Sequence, residues 1–244
     1  MSNVWHYTML VNASSAFSVE RVTEIVEQAQ TRGFSPFHPD TGRVEVATTD
    51  MTPANSNDYL FKDLVSAATV LKSGGYLMLW ERGSHIGLAF DPRGEDEAQI
   101  IKALRLQDTP SFGRLSISIG AYLFRDDEKD RLAIASNVEG LFTDLCVSQG
   151  AVYGFSMDEN AFELFASRMR VHQDAKLQRR PSVLFWMNYF TSEHWERIDQ
   201  HDRLQQLGGR ARFLPTGVLV SFYSSPWEVD LGQLYAINEA WRVD

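Results

Sequence analysis

"GGYLMLWERGSHIGLAFDP" occupies Gly74 to Pro92. "YLMLWER" and "HIGLAFD" are strand-like runs separated by Gly83-Ser84, a pair suited to a tight turn whose first central residue takes positive φ, so the stretch predicts a β-hairpin. Pro92 ends the pairing, because proline has no N–H to offer a ladder. Helical spacing flanks the hairpin on both sides. Leu60, Phe61, Leu64, Val65, Ala68 and Leu71 make one apolar face of a helix starting near Asp58 and stopping at Gly74-Gly75. "DEAQIIKALRLQ" (96–107) turns Ile100, Ile101 and Leu104 to one side. A hairpin demands antiparallel pairing, and helices between strands must cover a sheet face. The expected class is α+β, a mixed, largely antiparallel sheet layered with helices.

"GGRARFLPTGVLVSFYSSP" (Gly208 to Pro226) has the same punctuation. A shift of 134 positions lays Gly74, Gly75, Gly83 and Pro92 on Gly208, Gly209, Gly217 and Pro226. At that shift Ile86, Leu88, Ile100 and Ile101 fall on Val220, Phe222, Leu234 and Tyr235. Both stretches read helix, Gly-Gly, strand, turn, strand, Pro, helix. Two explanations stay open: duplication of a helix-hairpin-helix unit, with related halves 1–110 and 111–244, or turn chemistry drawing Gly and Pro to equivalent places. No low-complexity linker divides the chain, so residues 1–244 are expected to form one α+β domain.

The remaining elements follow from the same periodicities. "VWHYTMLVN" (4–12) reads as a strand, then Ser18 caps a helix with Val19, Val22, Val26 and Ala29 on one face and Gly33 at its end. "RVEVATT" (43–49), "RLSISIGAYLF" (114–124), "AVYGFSM" (151–157) and "SVLFWMNYF" (182–190) read as strands, the last buried on both faces. Helices are expected at 131–149, burying Leu141, Phe142, Leu145 and Cys146; at 159–173; from Ser192 to about Leu207; and at the C-terminus, through Leu231, Leu234, Tyr235 and Trp241. The second hairpin is expected to turn at Pro215-Thr216-Gly217.

With 44% hydrophobic and 23% charged residues, 244 residues suffice for a large core without covalent staples. Cys146 is the one cysteine, which excludes an internal disulfide framework and a cysteine-built zinc site and fits a reducing, cytoplasmic setting. No basic leader precedes an apolar run, and no eighteen consecutive residues are apolar, so neither export nor membrane spanning is expected. The net charge of −9 repels nucleic-acid phosphates and anionic lipid and favours a basic protein partner. Asp126, Asp127, Glu128 and Asp130 in "RDDEKD" and Glu95, Asp96 and Glu97 form acidic clusters that could meet such a partner. For either cluster taken singly, a solvated loop or helix start is the commoner explanation. Trp5 and Trp227 lie in less constrained positions than the other four tryptophans, and Trp227 is a candidate aromatic anchor.

Catalytic signatures are missing. There is no Gly-x-Gly-x-x-Gly, no phosphate-binding Gly-x4-Gly-Lys motif and no Gly-x-Ser-x-Gly elbow. His6, His38, His85, His172, His194 and His201 include no His-Glu-x-x-His pair. "HPD" (38–40) and "HQD" (172–174) could each supply two ligands, although solvated loop histidines are commoner. Asp158 with Glu159, and Glu193 with Glu196, are carboxylate pairs of acid/base type, yet helix dipoles alone attract acids to helix starts. Neither a cofactor nor a metal is expected, and a non-enzymatic role is favoured. The competing reading is an enzyme of unfamiliar type built around "HPD" or "SEHWE" (192–196); a third is a regulatory module bound to another host protein.

"FWMNYFTSEHWERI", followed by "LGGRARFLPTGVLVSFYSSP" and a closing helix, resembles the tail of bacterial immunity proteins that accompany polymorphic toxins, in particular the immunity protein 52 group. The matching residues are Trp186, Asn188, Tyr189, Phe190, Gly208, Gly209, Gly217 and Pro226, and "LFTDLCVSQGAVYGF" resembles the preceding helix and strand. The resemblance covers roughly residues 114 to 244. It implies a protein that binds its cognate toxin and occludes or distorts the toxin's active site. It carries no functional residue over to this chain.

Overall fold

The computed structural model describes residues 4–12, 17–48, 58–81, 84–92, 112–120, 128–158, 183–198 and 201–242. Its axis is β1 (Val4–Asn12), whose alternating β-branched and aromatic residues pair with β6 (Phe112–Gly120) on one side and β7 (Ala151–Asp158) on the other. Outward from β6 lie β5 (Ser84–Asp91), β4 (Gly75–Glu81), β2 (Val44–Thr48) and β3 (Asp58–Phe61). Outward from β7 lie β8 (Met187–Thr191), β10 (Gly217–Ser221) and β9 (Arg210–Leu214). The ten strands form one sheet, and every pairing among the described strands is antiparallel. The α+β expectation holds.

Among the described residues, three helices cover one face: α1 (Val19–Thr31), α2 (Leu64–Leu71) and α3 (Glu128–Ser148). Each buries a stripe at helical spacing, such as Val22, Ile25, Val26 and Ala29 in α1 and Val138, Leu141, Phe142 and Leu145 in α3. Gly154 in β7 lets α3 come close: a Cβ there would stand 2.9 Å from Phe142 Cζ and 3.0 Å from Cys146 Sγ. Tyr7, Ser156 and Trp186 share this face, with Trp186 Nε1 donating to Ser156 Oγ at 3.0 Å. Alternation sends Tyr153, Phe155 and Phe190 to the opposite face. There they meet Phe185 and α4 (Ser192–Arg197), with α5 (His201–Gln206) following beside β9. A 3-10 turn (Pro226–Glu228) leads into α6 (Leu231–Arg242), which buries Leu234 and Trp241.

Several element boundaries differ from the sequence pattern. Residues 58–61 are strand and the helix begins at Leu64, because Asp63 accepts from Ser66 N at 2.8 Å and from Ser66 Oγ at 2.9 Å and so fixes the start. Residues 183–186 are buried but lie outside the ladder that begins at Met187. The helix expected over 192–207 is broken at Ile198, whose ψ of 112° is extended and whose side chain is buried. Both hairpins are present; the first is internal, between β2 and β6, and the second forms the far edge of the sheet. Residues 82–83 at the first turn, and the helices expected over 96–107 and 159–173, lie outside the described residues.

The second turn consists of Pro215-Thr216, and Gly217 is the first residue of β10. A Cβ at Gly217 would stand 2.1 Å from the Phe190 carbonyl oxygen and 2.8 Å from Tyr189 Oη. The glycine is therefore required by the approach of β8. Gly217→Ala is expected to lower stability by at least the ~1–3 kcal/mol typical of overpacking, read as a fall in the urea midpoint without a change in slope. Cys146 is fully buried, and burial pushes its thiol well up. Thiol reagent should leave the native protein unmodified and label it stoichiometrically once unfolded; rapid native labelling would contradict the packing of α3 on β7.

Candidate functional site

An open cleft of about 550 Å³ lies where the C-terminus of α1, the following loop, the end of β4 and the middle of α3 meet. Helix α1 supplies its rim because it stops beside the sheet: Arg32 caps it, Gly33 takes φ +90°, and Phe34 is buried beneath. The loop is then tied to β4 by reciprocal bonds between Ser35 and Trp80, N to O at 2.7 Å each way. Phe37 and Pro39 stand on the loop side, with Phe37 exposed. Trp80 and Glu81 close the strand side, and Asn137 of α3 donates to Glu81 Oε1 at 3.1 Å. Arg32 reaches Asp144 of α3 through Nη2 at 2.6 Å and Nε at 2.7 Å. The walls thus combine a carboxylate, an amide and a paired guanidinium with indole and phenyl surface.

"HPD" (38–40) edges this region as a turn. His38 Nδ1 accepts from Asp40 N at 3.1 Å, His38 N donates to Arg43 O at 2.8 Å, and Gly42 takes φ +63°. The imidazole packs edge-on against Trp80 at 4.4 Å, and Trp80 packs on His85 at 5.2 Å. "SEHWE" (192–196) lies elsewhere. Thr191 caps α4 by accepting from His194 N at 3.1 Å, and the His194 ring packs on Phe190 at 5.4 Å. His201 stacks on Trp195 at 4.2 Å, with Nε2 2.7 Å from the Trp195 carbonyl oxygen. β4 and β8 are separated by four intervening strands, or roughly 24 Å at ~4.8 Å spacing. The two histidine motifs do not converge.

The acidic candidates fall largely beyond view. Glu95, Asp96, Glu97, Asp126 and Asp127 lie outside the described residues, and Glu128 and Asp130 are placed only as backbone in the first turn of α3. Trp227 is half-buried in the 3-10 turn and packs against the core. Trp5 is half-buried edge-on to Trp186. Of the cleft's lining, the sequence singled out only Pro39, within "HPD"; the rest comes from three separate parts of the chain. No set of three or more His, Cys, Asp or Glu arranged to hold a metal occurs among the described residues, and no described helix is long and apolar enough to cross a membrane.

No family model matches the chain, and no curated protein does. Among solved structures it is similar to the Pseudomonas aeruginosa T6SS protein PA0821, with a TM-score of 0.50 and 9% identity, over 98% of this chain and 75% of that one. At that identity the likeness is one of fold.

Glu139 in α3, two residues beyond the cleft-lining Asn137, is 3.7 Å from Arg212 of β9. Burial raises its pKa above the ordinary 4.5, and the Arg212 and Arg210 cations offset this only in part. The folded protein therefore holds this proton more tightly than the unfolded chain, and stability falls as pH rises from 4.5 through the raised value, then levels off. Glu139→Gln removes that loss. The stability of the variant relative to wild type should grow with pH above 4.5 and then plateau; a difference independent of pH would contradict the burial.

Proposed function

We propose that this chain is an immunity protein that binds a cognate bacterial toxin and neutralises it by occluding its active site, without a catalytic group, cofactor or metal of its own. The observation that carries this reading is the shared fold with a T6SS protein over 98% of the chain, taken together with the immunity-protein resemblance of residues 114 to 244. Supporting it, the described surface offers a shallow amphipathic cleft, while the two histidine motifs are held in turn and stacking roles on separate parts of the sheet. A binder needs a preformed surface, and a single continuous sheet provides one. The partner in this reading is a basic toxin domain met in the cytoplasm. The net charge of −9 would steer it, and the clusters at 95–97 and 126–130 would be the points of first approach.

The test uses the toxin domain encoded in the adjacent reading frame. Co-production should restore growth to cells poisoned by that toxin, and the two proteins should purify as a stable complex. Absence of both protection and complex would overturn the assignment. Within the complex, changing Asp126, Asp127, Glu128 and Asp130 to Asn or Gln should lower the association rate more than it raises dissociation, with the effect fading as salt shortens the screening length to ~8–10 Å and below. An association rate indifferent to both salt and these changes would remove that acidic segment from the interface.

A further inference from the structure

β9 stands at the edge of the sheet, and its five residues "RARFL" combine three properties seldom left together at an edge. First, no described strand pairs with one side of its backbone. The two-residue turn makes Leu214 and Gly217 the closest hydrogen-bonded pair of the hairpin, so Leu214, Arg212 and Arg210 direct their N–H and C=O groups to β10. Alternation aims those of Ala211 and Phe213 outward. Second, Phe213 is 73% exposed and lies edge-on to Trp195 at 6.3 Å, an aromatic pair beside that edge. Third, the other face of the strand carries two guanidinium groups on a chain whose net charge is −9. They are held in place and, among the described residues, outnumber the one carboxylate beside them: Arg212 Nη2 donates to Thr143 Oγ1 at 2.9 Å and lies 3.7 Å from Glu139 Oε1, and Arg210 Nη1 donates to Ser224 Oγ at 3.1 Å.

We infer that the outer edge of β9 is a docking site for an extended segment of another protein, added to the sheet as an eleventh strand, in which acidic and apolar residues alternate. Residues opposite one another across a ladder share a face. Acidic side chains of the incoming strand therefore lie beside Arg210 and Arg212, and apolar ones beside Ala211, Phe213 and Trp195. Main-chain bonds to Ala211 and Phe213 supply affinity and the alternating pockets supply selectivity. A second copy of this chain fits poorly, because antiparallel self-pairing centred on β9 sets the two Arg212 side chains directly opposite, and like charges there are unfavourable. This inference does not rest on the toxin-neutralising role. It concerns a basic, aromatic edge, whereas that role was argued from acidic segments elsewhere.

The probe is a blocked seven-residue peptide of alternating glutamate and valine, titrated into the 15N-labelled full chain, with an alternating lysine and valine peptide as counterpart. The acidic peptide should shift the Ala211 and Phe213 amide resonances, and the lysine peptide should bind at least several-fold more weakly. Ala211→Pro deletes an outward N–H while leaving the β10 ladder intact, a change edge strands tolerate. It should weaken binding about five- to tenfold at an unchanged melting temperature. Phe213→Ser, at an exposed position, should weaken it as well and serves if the proline variant is destabilised. Equal binding of both peptides, shifts located away from β9, or no shifts at millimolar peptide would overturn the inference. So would a concentration-dependent doubling of mass that Ala211→Pro abolishes, since that would assign the edge to a second copy.

Discussion

Two buried asparagines satisfy the backbone of the segment that leads into β8. Residues 183–186 cross the buried core ahead of the ladder that begins at Met187, and buried peptide groups there need hydrogen-bond partners. Asn188 accepts from Phe185 N at 3.0 Å through Oδ1 and donates to Phe185 O at 2.7 Å through Nδ2. Asn238, from α6, does the same for Leu184, at 2.8 Å in each direction. The Trp186 carbonyl is taken by Phe222 N at 2.8 Å, and Tyr153 Oη completes Asn188 Oδ1 at 2.9 Å. Each of these groups would cost ~1–3 kcal/mol if left buried and unpaired. Replacing either asparagine by an apolar residue would remove both of its hydrogen bonds to this segment's backbone.

The clamp links several features at once. It turns the chain from the irregular segment into β8, which pairs with β7 and β10 and so joins the β9–β10 hairpin to the central strands. It also anchors α6 through Asn238, whose Nδ2 additionally donates to Leu234 O at 2.9 Å. The edge formed by β9 and the aromatic group around Trp195 are thus mounted on a rigid part of the core. The cleft beside α1 is mounted separately, on the Ser35–Trp80 bridge and the side chains of α3. Side chains held in this way lose little conformational entropy on any association.

Much of this architecture was legible in sequence because it rests on local chemistry. Strand alternation at 4–12, the Ser18 cap and the Gly-Gly-led hairpins each depend on few residues. Residues 58–61 misled because Leu60 and Phe61 happen to continue the helical period of Leu64, Ala68 and Leu71; the spacing of Asp63 and Ser66 was the competing sign of a later start. The strand expected over 182–190 was too long for a related reason, since four apolar residues look the same in or out of a ladder. Asn188, lone among apolar neighbours, was the clue that a side chain rather than a strand satisfies the backbone there. The immunity-like Trp186, Asn188, Tyr189 and Phe190 pattern thus has a structural origin in the clamp and the packing of β8. Beyond "HPD" the cleft was hidden because its lining residues meet only through tertiary packing, and the acidic segments carried charge but no pattern that fixes their position.

The proposed role has one property that separates stoichiometric inhibition from any enzymatic route to protection: the number of toxin molecules each copy can silence. Titrating a fixed concentration of the adjacent toxin domain with this protein, and measuring residual toxin activity after short and long incubation, tests it directly. The account predicts a linear fall to zero at one equivalent, the same at both times, with toxin activity recovered when the complex is dissociated. Complete and progressive inactivation by a small fraction of an equivalent, leaving covalently altered toxin, would contradict it.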